Sequence, residues 1–177
     1  MVRLAYIITV GLVGALLVHL LIVFMIPRTS TQTAWAVVSE AAQPLEVLTI
    51  SADGPSENVG YMRTALCRYD LVDGAFSLRV QGSPLFWSVA VHNSTGDVLF
   101  SANDRIVTAD GLDLVVANPG QIRTIRQEVP DEVSNSVIVN VEGDLGFVLL
   151  RVFEPNDSYR PVSVDFINSI QCDYLDL

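Results

Sequence analysis

The chain has 177 residues, 20 acidic against 10 basic, with a formal net charge of −10 and an isoelectric point near 4.4. Every basic residue is Arg and there is no Lys, so the basic patch that nucleic acid or a flat approach to anionic lipid requires is excluded. The length allows one domain of roughly 150 residues beyond a hydrophobic amino-terminal segment, enough to bury a core.

Residues 4–26 carry no formal charge and consist chiefly of Leu, Ile, Val, Ala, Gly and Phe. A helix of that length spans about 34 Å, sufficient for a hydrocarbon core of about 30 Å. A cleavable signal has a shorter apolar stretch with a small-x-small site close behind it. Ala34-Trp35-Ala36 fits such a site but lies well past the apolar run. The expectation is therefore an uncleaved single-pass signal anchor over residues 1–28, bound to the bilayer through 4–26, with cleavage near Ala36 as the alternative. Arg3 and Arg28 flank the segment equally. The amino terminus is placed in the cytoplasm of a bacterial cell and the domain in the periplasm, beyond the inner membrane. Gly11, Ala15 and His19 recur every four residues and share one helical face, where small side chains let a second helix approach and an imidazole can hydrogen-bond across. The plain alternative is a neutral His19 bonded to its own backbone.

Pro27 is expected to stop the helix, and residues 29–60 to form a polar tether with a short helix at 34–42. In that helix Trp35 and Val38 are spaced to pack on the domain or on lipid headgroups. Pro44 ends it, and Asp53-Gly54-Pro55 marks a loop. From about residue 64 the period becomes two, opening a domain at 61–177. Strands are expected at 65–71 and 75–81, joined as a hairpin through Val72-Asp73-Gly74. Further strands are expected at 85–92, 98–102, 111–117, 137–141 and 146–153. Asn93-Ser94-Thr95-Gly96-Asp97 and Asn118-Pro119-Gly120 punctuate them, with a helical turn or two at 121–128 before Val129-Pro130. The stretch 161–177 closes the chain with a short helix around 165–170. Asn93-Ser94-Thr95 and Asn156-Asp157-Ser158 match a glycosylation sequon, a pattern too common to carry weight. The fold class is mainly β: a transmembrane helix followed by a jelly-roll-like antiparallel β-sandwich with short helices.

Cys67 and Cys172 are the only cysteines. In an oxidising compartment they are expected to form a disulfide, the alternative being two buried thiols. With no paired histidines to complete a set they make no metal site, and no cofactor motif is present. His92 alone would have to carry any Ser-His, Cys-His or metal chemistry, and a turn-capping role suits it better. Phe86-Trp87 is either a sugar-stacking platform or alternating core and face. Ser101-Ala102-Asn103-Asp104-Arg105 places an amide, a carboxylate and a guanidinium together beyond a strand, to hold a polar ligand or simply to order a loop. Arg123 and Arg126 share a helical face and either grip an anion or pair with nearby acids.

Taken in order, Ala65-Leu66-Cys67-Arg68-Tyr69-Asp70-Leu71, Phe86-Trp87-Ser88-Val89, Ser101-Ala102-Asn103-Asp104-Arg105 and Phe147-Val148-Leu149-Leu150-Arg151-Val152-Phe153 resemble small membrane-anchored bacterial proteins of the domain-of-unknown-function twelve-fifty-four family. The resemblance runs through most of the chain, including the amino-terminal helix and Cys172. It implies a jelly-roll sandwich that larger relatives join to a second uncharacterised domain, and so a partner for this chain, a second anchored envelope protein. It carries no catalytic residue with it. Two functions follow as expectations: a non-enzymatic envelope assembly module, or a ligand-binding or enzymatic sandwich whose Trp87, Asn103, Asp104 and Arg105 line one pocket.

Overall fold

The structure is a computed structural model that describes residues 2–29, 33–50, 61–105, 111–127 and 133–175, with the backbone alone for 26–29. It divides into two compact units, Met1–Thr33 and Ala34–Leu177.

The first unit is one helix, α1 (Val2–Thr29). Its segment Val2–Met25 has a mean hydropathy of 2.7 and is long and apolar enough to cross a membrane. The helix continues to Thr29 past Pro27, contrary to the expected stop. Proline strains only the turn before it, and so near a terminus the following residues stay helical. The Thr9 hydroxyl donates to the Ala5 carbonyl at 2.9 Å, which satisfies that polar group inside the helix. Gly11, Ala15 and His19 lie four apart within it, and a Cβ placed on Gly11 would meet open space. The tether 30–32 lies outside the described residues, as do Asp53-Gly54-Pro55 and Val129-Pro130.

The second unit is mainly β, two sheets with short helices. After α2 (Ala34–Ala41) come β1 (Val47–Ile50), β2 (Met62–Asp70), β3 (Ala75–Gln81), β4 (Trp87–Asn93), β5 (Val98–Asn103) and β6 (Gly111–Ala117). Then follow α3 (Pro119–Gln127), β7 (Val137–Asn140), β8 (Leu145–Phe153), α4 (Arg160–Asn168) and β9 (Gln171–Leu175). The first sheet has the order β1-β2-β8-β4-β5 and is antiparallel throughout; the second is β7-β6-β3-β9, with β6 and β7 parallel. That parallel pair departs from the antiparallel expectation because α3 supplies a crossover, which two parallel neighbours require.

The sheets face each other through alternate residues. Cys67, Tyr69, Val89, Val91, Val148 and Leu150 of the first meet Phe76, Leu78, Leu112, Leu114, Val116 and Cys172 of the second in one buried cluster. This is a sandwich, and its first sheet interleaves β2, β8 and β4 from distant parts of the chain, as jelly-roll-like folds do. The outer face of the second sheet is covered by Ile122 and Ile125 of α3 with Val133, packed on Ala75, Val115, Ala117 and Leu175. The outer face of the first is covered at its β2 side by α2, whose Val38 lies buried with Ala42, Leu66 and Phe147. Trp35 stacks there under the Arg68 guanidinium, 5.3 Å from the ring centroid. Trp35 and Val38 thus pack on the domain itself. With β1 also paired to β2, the compact unit begins at Ala34, not at residue 61.

Two further differences bear on topology. The Asp73-Gly74 turn does not close a hairpin, because β2 pairs with β1 and β8 while β3 pairs with β6 and β9. The turn instead carries the chain from one sheet to the other. The closing segment holds α4, with Pro161 in its first turn where a missing N–H costs nothing, and then the strand β9. Cys67 on β2 and Cys172 on β9 are joined in a disulfide, Cα atoms 6.6 Å apart, which fastens the two sheets together.

Candidate functional site

On the outer face of the first sheet, α2 covers β2 and part of β8 but leaves β4 and β5 open. A groove of about 540 Å³ lies there, lined by Phe86, Ser88, Ala90, His92, Val98, Ser101, Asn103, Leu149 and Arg151 among others. Strand parity explains the lining. Val89, Val91, Leu150 and Val152 point into the core, so Ser88, Ala90, Leu149 and Arg151 point outward.

Register sorts these side chains into rows. Asn103 stands opposite Ser88, and Ser88 opposite Arg151. The next row is Ser101, Ala90 and Leu149. In the third, His92 stands opposite Phe147, with their rings stacked at 4.7 Å and 5°. The hollow sits over Ala90, a methyl group between larger neighbours. His92 caps the turn that follows its strand, its Nδ1 lying 3.3 Å from the Gly96 carbonyl oxygen. Its own carbonyl accepts from the Tyr69 hydroxyl at 3.0 Å. Burial pushes that phenol above its ordinary range, so it stays a donor.

The four side chains singled out from the sequence do not share one concavity. Trp87 is 3 % exposed, belongs to the core and packs with its ring tilted against Phe166, centroids 5.6 Å apart, whereas Phe86 faces the groove. Asn103 lines the groove, and its Oδ1 accepts from the backbone N–H of Arg105 at 3.1 Å, an ordinary turn contact. Arg105 is exposed. Asp104 has a buried Oδ1 that meets no donor among the described residues. Sequence reasoning missed Ser88, Ala90 and Arg151, because Arg151 sits in an otherwise apolar run and only the pairing brings it beside residues 88 and 103. Arg123 and Arg126 are exposed on α3. Among the described residues no three His, Cys, Asp or Glu side chains cluster closely enough to hold a metal ion.

Beside the groove, β5 ends the sheet. The Asp104 N–H donates to the Trp87 carbonyl at 3.2 Å. Alternation along an antiparallel ladder then turns the N–H and C=O groups of Ser101 and Asn103 away from β4, to the open edge. The strand Val-Leu-Phe-Ser-Ala-Asn holds no charge and no Pro, the usual guards of an edge. Val98 is 58 % and Leu99 39 % exposed.

No protein-family model matches the chain, and no curated protein matches it. Among solved structures it is similar to the VPA0106 protein from Vibrio parahaemolyticus, at 15 % identity and a TM-score of 0.61, over 78 % of this chain and 32 % of that one. It also aligns with an uncharacterised protein from Burkholderia cenocepacia, at 13 % identity and a TM-score of 0.43, over 71 % of this chain and 33 % of that one. The chain therefore spans about a third of the length of these structures. The Vibrio likeness shows the fold alone.

Proposed function

We propose that the chain is a non-enzymatic assembly module of a bacterial cell envelope, tethered by α1 to the inner membrane with its amino terminus in the cytoplasm and its sandwich in the periplasm. An extended segment of a second envelope protein pairs along β5. One observation carries this: β5 offers an uncharged edge whose backbone groups at Ser101 and Asn103 meet no partner among the described residues, the arrangement that strand addition uses. The resemblance to the anchored members of the domain-of-unknown-function twelve-fifty-four family supports it, since larger relatives join this domain to another. The Gly11, Ala15 and His19 face adds a second contact, between membrane helices.

The test places a photo-cross-linking residue at Ser101, or at the exposed Val162 of α4 as a control, in the full-length protein in its own membrane. The expected result is one dominant adduct from Ser101, absent from Val162. Ser101→Pro, which removes an edge-facing N–H and breaks no ladder hydrogen bond to β4, abolishes the interaction when the partner is captured through a tag instead. The same adducts from both positions, or capture unaffected by the proline, would refute strand addition. Gly11→Leu with Ala15→Leu then reports the share of the helix face.

A further inference from the structure

The groove over Ala90 is built almost entirely of donors and apolar surface. Arg151 brings a guanidinium, Ser88 and Ser101 bring hydroxyls, and Leu149, Phe86 and Val98 bring hydrocarbon. Asn103 has its oxygen engaged by the Arg105 N–H, which leaves the amide nitrogen as the end free to donate. Among the described residues the lining contains no carboxylate, in a chain with 20 acidic residues and 10 basic ones. No carboxylate elsewhere among the described residues forms an ion pair with Arg151. An arginine on an edge strand has a defensive use against aggregation. Arg151 lies on β8, flanked by β2 and β4 in the middle of the sheet, so that use does not account for it.

We propose that this groove binds a small organic carboxylate with an apolar body. Arg151 takes the carboxylate through its planar fork, the geometry that favours arginine over a point charge. Ser88 and Asn103 stand in the same cross-strand row, so three donor groups from three strands face one anion across about 10 Å, two strand spacings. The apolar body lies over Ala90 and Leu149, between Phe86 and Val98. Ala90 sets the size of the ligand, because any larger side chain at that position would fill the hollow. The groove's volume of about 540 Å³ falls within the range of small-molecule sites. The site is separate from the β5 edge backbone and does not depend on a protein partner.

The test uses the full-length protein in nanodiscs of neutral phosphatidylcholine, titrated with sodium phenylacetate and followed by backbone amide chemical shifts. Phenylacetamide, of the same shape without the charge, and acetate, without the apolar body, are titrated in parallel. Saturable shifts at residues 88–90, 101–103 and 149–151 are expected with phenylacetate. Phenylacetamide should bind about tenfold to a hundredfold more weakly, and Arg151→Gln should weaken phenylacetate by a similar factor. Ala90→Phe, outward-facing and harmless to the core, should abolish binding, while its unperturbed amide spectrum elsewhere reports an intact fold. Equal affinity for acid and amide, binding unchanged in Arg151→Gln, or no saturation up to about 10 mM, a weak limit even for so small a ligand, would each overturn the proposal.

Discussion

Replacing Cys67 and Cys172 together by Ala removes the covalent link between β2 and β9, which closes a loop of 105 residues. In the loop-entropy model a closure of that length raises the free energy of the unfolded chain by about 4–5 kcal/mol. A domain of this size is stable by about 5–15 kcal/mol in all, so the bridge accounts for about a quarter or more of the margin. The double variant should melt about 10–20 °C lower. Both positions lie in the core, Cys67 at 1 % and Cys172 at 8 % exposure, so alanine leaves no buried polar group behind. The assay is urea unfolding of the full-length protein in mild detergent, read by tryptophan fluorescence. Trp87 inside the sandwich reports the core, and wild type treated with dithiothreitol separates the bridge from the lost sulfur volume. A difference below about 1 kcal/mol between oxidised and reduced wild type would mean that the unfolded chain is already constrained, against the premise of the estimate.

Other consequences are open to direct measurement. A Cβ at Gly146 would collide with the Tyr69 hydroxyl oxygen and the His92 carbonyl, so Gly146→Ala should cost about 3 kcal/mol, the upper end of overpacking; a loss under about 1 kcal/mol in denaturant unfolding would show that β8 can shift. Glu154 accepts from Arg63 at 2.8 Å and from Arg160 at 3.3 Å, and these hydrogen bonds, Arg63 first, hold its carboxyl below the usual range. A carboxyl depressed on folding gives stability that is present above its unfolded pKa and lost as pH falls through its folded one. Glu154→Gln should therefore flatten the acid limb of the stability profile and cost about 1–3 kcal/mol at neutral pH; an unchanged acid limb would contradict this. The Arg68 guanidinium lies over Trp35 and donates to the Ser39 and Ala42 carbonyls at 3.4 and 3.3 Å. Arg68→Ala should speed hydrogen exchange across α2 while leaving β3 amides protected, and a uniform acceleration would mean that α2 is integral to global stability.

What could be read from the sequence was local, and what could not was pairing. β3 and β6 begin and end where expected because Gly, Asn and Pro bound strand-forming apolar segments at those places. The apolar helix announced itself through its lack of charge. The Asp73-Gly74 turn was legible as a turn, yet nothing in four residues says whether the next strand returns to the same sheet or crosses to the other. β1 and β9 escaped notice for a different reason: four and five residues at sheet edges carry too few core positions to impose a period. Trp87 drew attention as an aromatic beside Phe86, and parity assigns the pair oppositely, Trp87 inward with Val89 and Phe86 outward. The groove was the least legible part. Its emptiness comes from Ala90 and its charge from Arg151, residues unremarkable in their own segments until the β4–β8 register sets Ser88 against Arg151 and Ala90 against Leu149.

The interleaved order of the first sheet also governs when this domain can form as it is made. β2 lies between β1 and β8, and its register partner for Met62 is Phe153, 91 positions further on. β4 likewise waits for β8, and the edge of the second sheet waits for β9 at the very end of the described chain. A ribosome that has synthesised as far as residue 144 has produced β2 and β4 with no centre strand to join them, and their inward faces of Cys67, Tyr69, Val89 and Val91 remain uncovered. Residues 145–175 are thus the closing piece, and such long-range pairing makes folding slow and leaves the chain exposed to aggregation until they are in place.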